Sequence, residues 1–369
     1  MAAKDYFQRV DLRGGAGDTL LNRTQDNVRE DFMDAIYNIS PVDTPFMSGI
    51  GRASCKDVFT SWQQDDIAEP DETNAAIDGD DIGPDSSQRA RRVGNINQIS
   101  RKSLGISGRA EVVDKAGRSS EMAYQLAKAA KALKRDMEAI LTGNQAAVGD
   151  TVTPGSEGTT ATKLGSLRAC FRNAVANTQE VTTALVGAGA GANGGVGAAS
   201  IPTAAVKGTA RPLSETLINQ AMQAAYVNGG QPDTLMVTPK VKAALSAYLY
   251  SSSARVAALY SEIAQSKREG GVANASVDIY VTDFGPLKIV PSRFMGYTKA
   301  AHAPDHSSVY LLDMAMWAVG FLRPFRTMDV AKLGDSERKM LLVDYTLIYK
   351  QEMASGLVAD VDPAVAVIA

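Results

Sequence analysis

Cysteine, histidine and tryptophan each occur only twice among 369 residues. Cys55 and Cys170 have no motif around them, and the two histidines are His302 and His306. A disulfide scaffold, a four-ligand zinc site and an iron–sulfur cluster are therefore excluded. Long apolar runs are missing as well. The most apolar window, Leu311–Leu322, spans twelve residues and is broken by Asp313, whereas a membrane-spanning helix needs about 20. The opening stretch, MAAKDYFQRV, has no apolar core of the kind a secretory signal carries, so a soluble protein made in the cytoplasm is expected. The net charge of −3 disfavours a main function of gripping nucleic acid through many phosphates. G-x-S-x-G, Walker A and H-E-x-x-H motifs are all absent, so no enzyme is expected.

Three partial motifs yield to blander readings. His302 and His306 are spaced as helical metal ligands with Asp305 between them, but Pro304 breaks any helix there, so no metal is expected. Asp78-Gly79-Asp80-Asp81 lacks the glycine position and the terminal glutamate of a calcium loop. Gly189–Gly194 is a literal G-x-G-x-x-G after a strand-like Val181–Val186. Residues 195–212 carry more glycine and proline and no helical stripe, so a surface loop is expected and no cofactor. A nucleotide-dependent enzyme built on residues 181–194 stays as the minor alternative, one that a flat thermal-shift response to nucleotides would eliminate.

The composition that remains is that of an ordinary globular chain. Hydrophobic residues make up 45% and charged residues 21%, and the length allows two or three packed units. Periodicity predicts a mixed α+β fold. Residues Thr24–Tyr37 read as a short helix after a polar, glycine-bearing start. Residues 119–142 give the clearest helix, capped by Ser119 or Ser120 and by Gly143. Its apolar stripe is Met122, Leu126, Ala130, Leu133, Met137 and Leu141, narrow enough to lie across a sheet. A shorter helix is expected near Leu164–Ala176. Leu213–Asn228 and Pro239–Leu249 read as helices around a buried strand, Leu235–Thr238. Strands are expected at 277–281, 287–291, 309–313, 318–323 and 339–352, the last of them half-buried.

The informative segment is 55–118. Asp65–Gln88 carries nine acids and no Lys or Arg; Arg89–Arg118 carries eight bases against two acids. Strands at Lys56–Trp62 and Gln98–Gly108 would make a long hairpin with an acidic tip and a basic return. It has too few apolar residues for a core of its own, so it must lie on something else. It reads either as a solvated loop or as an arm that docks by charge on a neighbour. Loops this long in compact chains usually have a function, which favours the arm. Its candidate inter-subunit contacts are Trp62, Asp65, Asp66, Arg89, Arg91, Arg92, Arg101 and Lys102. Trp62 suits packing better than chemistry.

Three stretches in order carry a family resemblance: Ile39–Phe46 (ISPVDTPF) through Trp62–Asp65, the long helix ending Leu141–Ala146 (LTGNQA), and Val277–Gly285 (VDIYVTDFG) with Val309–Asp313 and Leu333–Ser336 (LGDS). Over about residues 25–362 the chain resembles major capsid proteins of tailed bacteriophages. The resemblance implies the fold shared with herpesvirus floor domains and encapsulins. On it, residues 1–54 would be the N-terminal arm and lead-in, and 55–115 the extended loop. Residues 116–210 would be the peripheral domain with its spine helix and a glycine-rich insertion. Residues 211–315 would be the axial domain, and 316–369 a return to the peripheral domain. It implies self-assembly into hexamers and pentamers of an icosahedral shell around double-stranded DNA, in a virion assembled in the host cytoplasm. Expected partners are further copies, a portal, possibly scaffolding or decoration proteins, and packaged DNA in non-specific contact; no membrane is expected. An encapsulin-like nanocompartment is the runner-up. No charged helical segment of about 100 residues precedes the arm. A separate scaffolding protein, or none, is therefore expected, and N-terminally shortened subunits in mature particles would overturn that.

Overall fold

A computed structural model of the chain describes residues 43–65, 67, 70–73, 75, 78, 90–115, 117–149, 160–171, 184–186, 188, 195, 201–251, 278–297, 308–332 and 334–362. The expected helix at 24–37, the glycine run 189–194, His302, His306, Asp66 and Arg89 lie outside them. In chain order the elements are α1 (Pro45–Gly49), β1 (Gly51–Ser54), β2 (Phe59–Gln64), β3 (Arg91–Ile96), β4 (Gln98–Ser107), α2 (Gly108–Val112), α3 (Glu121–Leu141), α4 (Leu167–Cys170), β5 (Ala184–Leu185), α5 (Glu215–Val227), β6 (Thr234–Val237), α6 (Pro239–Ser251), β7 (Ile279–Thr282), β8 (Gly285–Pro291), β9 (Ser308–Leu312), β10 (Trp317–Val330), β11 (Ser336–Tyr349) and β12 (Gly356–Ala359).

The expected long helix is α3, about 31 Å at its 21 residues. Ser120 caps it by accepting from the Ala123 N–H, and the Glu111 carboxylate reaches over from α2 to accept from the Glu121 and Met122 N–H groups. Met122, Leu133, Met137 and Leu141 are buried as the stripe requires. The helix lies across β4 and β11. Its C-terminus departs from expectation. Thr142, not Gly143, closes it: the Thr142 N–H (3.0 Å) and hydroxyl (2.8 Å) both donate to the Glu138 carbonyl. The threonine side chain helps satisfy the last turn, so Gly143 has no left-handed turn to make. The expected helix at Leu164–Ala176 is described only as α4.

Two sheets organise the molecule. One runs β1-β10-β11-β4 and the other β5-β12-β9-β6-β8-β7. The second has apolar residues on both faces, and its period-2 alternation sorts them into two cores. Met236, Tyr310, Leu312 and Leu357 join α3 and the first sheet in one core. Leu235, Val237, Val309, Leu311 and Val358 join α5 and α6 in the other. The two cores therefore share one sheet. The β7–β8 hairpin turns at Asp283-Phe284, where Gly285 takes φ +146°, a conformation that suits glycine.

Two strand expectations change. β11 is not half-buried: Leu341–Leu347 are buried at every position, because the strand is flanked by β10 and β4 and covered at this end on both faces. The hairpin also pairs differently. β2 pairs with β3, from Phe59↔Ile96 to Gln64↔Arg91, while Gln98–Ser107 is β4 and pairs with β11. Asn97 is the break: its N–H donates to the Val58 carbonyl and its side-chain amide to the Asp57 carbonyl. These bonds end one ladder before the next begins.

Candidate assembly interface

The hairpin β2–β3 stands on the rest of the molecule through a built root. Gly94 lets the strands close, since a Cβ there would lie 2.6 Å from the Phe59 ring and 2.7 Å from the Thr60 carbonyl. Asn95, fully buried, accepts from the Gly165 N–H at 2.7 Å and donates to the Leu347 and Gly165 carbonyls. Trp62 packs edge-on against Tyr349 with centroids 4.8 Å apart. The Tyr349 hydroxyl donates to the Gly94 carbonyl at 3.2 Å; burial is the main cause pushing its phenol above the usual range.

The outer end of the root is polar. Gln64 donates to Glu352 Oε2 at 2.8 Å and to the Lys350 carbonyl at 3.0 Å. Arg91 donates to Gln64 Oε1 at 2.8 Å and to Glu352 Oε1 at 3.0 Å. Glu352 is buried, so its charge needs these partners.

The candidate contact residues thus separate. Arg91 and Trp62 are engaged with the subunit's own core. Arg92 donates to Ser61 Oγ and lies over the Phe59 ring at 5.8 Å. Lys102 pairs with Asp136 of α3. Asp65 and Arg101 are exposed. Exchanging Arg91 for glutamate therefore tests the root and not a neighbour. Arg91→Glu should leave the subunit folded, cost more than the about 1 kcal/mol of an exposed pair because it sets a second carboxylate beside buried Glu352, and speed limited proteolysis in β2. An unchanged cleavage rate would rule out the clamp.

Sequence reasoning missed Glu138. It sits in α3, fully buried, and accepts from the Phe46 N–H through Oε1 and the Met47 N–H through Oε2, both at 2.8 Å. It thereby caps α1, which lies in the TPF stretch. Burial raises its carboxyl to about 7, against the two N–H bonds that lower it. No pattern in the helix distinguishes it from a surface glutamate.

A long helix across a sheet, a hairpin rooted on that sheet and a second sheet-and-helix core sharing its interior define a major capsid protein of the tailed-phage type. The chain belongs to the SU10 major capsid protein family, whose model matches residues 15–362. It is 28% identical over 357 residues to the major capsid protein of Escherichia phage Phieco32, covering 90% of this chain and 94% of that one. Among solved structures it is similar to a chain from Gordonia phage Cozz, with TM-score 0.54 and 12% identity over 96% of this chain and 98% of that one. It is also similar to the Cyanophage A-1(L) capsid, with TM-score 0.53 and 14% identity over 93% and 99%. The protein is a structural subunit of the phage capsid shell, part of the virion and not an enzyme. That membership displaces the nucleotide-enzyme alternative and sets the phage head above the nanocompartment. Among the described residues no helix is long and apolar enough to cross a membrane.

Proposed function

We propose that the subunit assembles into hexamers and pentamers of an icosahedral head, and that residues 65–90, carried on the β2–β3 hairpin, dock by charge on a neighbouring subunit. The observation that supports this most is the contrast at the hairpin. Its root is fastened to Tyr349 and Glu352, while the 26 residues beyond Gln64 and before Arg91 hold nine acids and one base, Arg89. An acidic connection with only three large apolar residues, Ile67, Ile77 and Ile82, gains little from its own subunit and can set register and partner choice between subunits. Single exposed ion pairs contribute only about 0–1 kcal/mol, so repetition around the shell must supply the affinity.

On this reading the α3 core, with residues 116–210 and 316–369, is the peripheral unit, and 211–315, with α5 and α6, is the axial one. A portal, scaffolding or decoration proteins and loosely held DNA would complete the particle; the mild acidity suits a wall that does not grip phosphates.

The test is a sixfold variant in which Asp71, Glu72, Asp78, Asp80, Asp81 and Asp85 become lysine. The subunit should fold and stay as small oligomers by sedimentation, with no closed shells in negative stain. Normal shells from it would defeat the docking role.

A further inference from the structure

The end of α3 forms one wall of a cavity of about 360 Å³. Tyr310 of β9 and Met295, just after β8, are both buried and make its floor. Two cations line it. Arg168 of α4 is 5% exposed, while Lys207 is exposed and stands with Tyr297 at the open side. No described acid lines this cavity. A second cavity of about 10 Å³, room for one water, shares Arg168, Lys207 and Ser308 with it and adds Asp360. Asp360 is buried, and three bases draw on its charge, because Arg211 faces it as well. Two buried guanidinium nitrogens of Arg211, Nε and Nη2, have no hydrogen-bond partner among the described residues. Asp362, whose N–H donates to the Arg211 carbonyl, lines neither cavity. The local charge is therefore positive. The negative end of α3 does not cancel it: Ser166 Oγ (2.6 Å) and the Gly143 N–H (3.3 Å) donate to the Ile140 carbonyl, and Thr142 donates twice to Glu138.

We infer that the larger cavity binds a small phosphate monoester, a compound no larger than a mononucleotide. A buried guanidinium beside an ammonium suits a tetrahedral dianion, since the arginine fork meets two oxygens and the lysine a third. Tyr297 and Ser308 also line the cavity, and their hydroxyls form no hydrogen bond with a described residue. Each can donate to a further oxygen. The volume falls at the lower end of the range for small-molecule sites. Tyr310 and Met295 offer apolar contact to whatever the phosphate is carried on. Packaged DNA bears the same chemical group, but a duplex presents its phosphates on a broad outer surface, and Arg168 is out of reach of such a surface at the bottom of a cavity. A free monoester is therefore the ligand that fits. Once bound, it would touch the end of α3, α4, β9 and the turn after β8 together, and so brace the long helix against the sheet that the two cores share.

The test is equilibrium dialysis of the full-length subunit against radiolabelled orthophosphate and against adenosine monophosphate. Saturable binding of about one anion per subunit is expected, with the melting temperature raised by about 3 °C at roughly 100 times the Kd. Lys207→Gln changes only the open side. It should weaken binding about tenfold or more and leave the far-UV spectrum as it is. Arg168→Gln should abolish binding. If that variant fails to fold, Lys207→Gln carries the measurement alone. Phosphate also stabilises proteins by exclusion from their surface, so a melting shift of equal size in wild type and Lys207→Gln counts against a site. No saturable binding of either probe to wild type, or equal binding to wild type and Lys207→Gln, overturns the inference. Displacement of bound orthophosphate by a DNA duplex would assign the two cations to packaged DNA and overturn it equally.

Discussion

Wild-type subunits should lose about 3 kcal/mol of stability between pH 4.5 and 7.5 as Glu138 ionises, and the Glu138→Gln variant should lack that slope. The folded carboxyl holds its proton up to about 7 against 4.5 when unfolded. Over that window the native state binds more protons, so stability is greatest below 4.5 and falls as pH rises through 7. Asp344, also raised by burial against its Arg323 partner, adds a slope of the same sign. The comparison that isolates Glu138 is therefore with its glutamine variant and not with a flat line. Glu138→Ala should cost about 3 kcal/mol at pH 5, because the Phe46 and Met47 N–H groups lose their acceptor in a site with no exposure. Urea unfolding at several pH values reads all of this. Identical pH slopes for wild type and Glu138→Gln would show that the carboxyl does not titrate in this window.

Trp317→Ala should be the most damaging core substitution, at about 3–5 kcal/mol. The indole is fully buried where four elements meet. It lies 6.5 Å from Phe46 of α1, 5.7 Å from Phe171 just after α4 and 6.4 Å from Tyr349 of β11, all between ring centroids. Its N–H donates to Ser355 Oγ at 3.0 Å, so burial leaves no polar group unmet. Trp317→Phe keeps most of the apolar contact and should cost about 1–2 kcal/mol, from the lost hydrogen bond and a smaller void. Equal midpoints in urea for the phenylalanine and alanine variants would mean that the aromatic contacts contribute little. A Trp317→Ala subunit too unstable to isolate would agree with the expected size, and Trp317→Phe then carries the measurement.

Local signals identified the elements that announce themselves. The stripe of α3, Pro239 opening α6, the β7–β8 turn and the apolar runs of β6 and β9 are set by spacing and residue type, and they fold where expected. The family resemblance, carried by the TPF stretch, the helix end and the strands near 277–285 and 309–313, also lay in the residue order. Pairing did not. Strands at 59–64 and 98–107 each look like hairpin arms. Which of them meet depends on Asn97 and on β11, about 240 residues later, because ladder partners are chosen by long-range contact and not by local propensity.

The same holds for charge. Residue order carries the resemblance to a shell subunit, and composition shows a charge-segregated loop and no catalytic motif. Where its bases are used emerges only on folding. Arg91 is turned inward onto Glu352, Lys102 goes to the long helix, and Arg101 is left in the open beside Arg326 and Arg338, more than 200 residues away in sequence. A linear charge pattern records how many arginines there are. The register of three strands determines which of them share a face, and burial determines which are already satisfied.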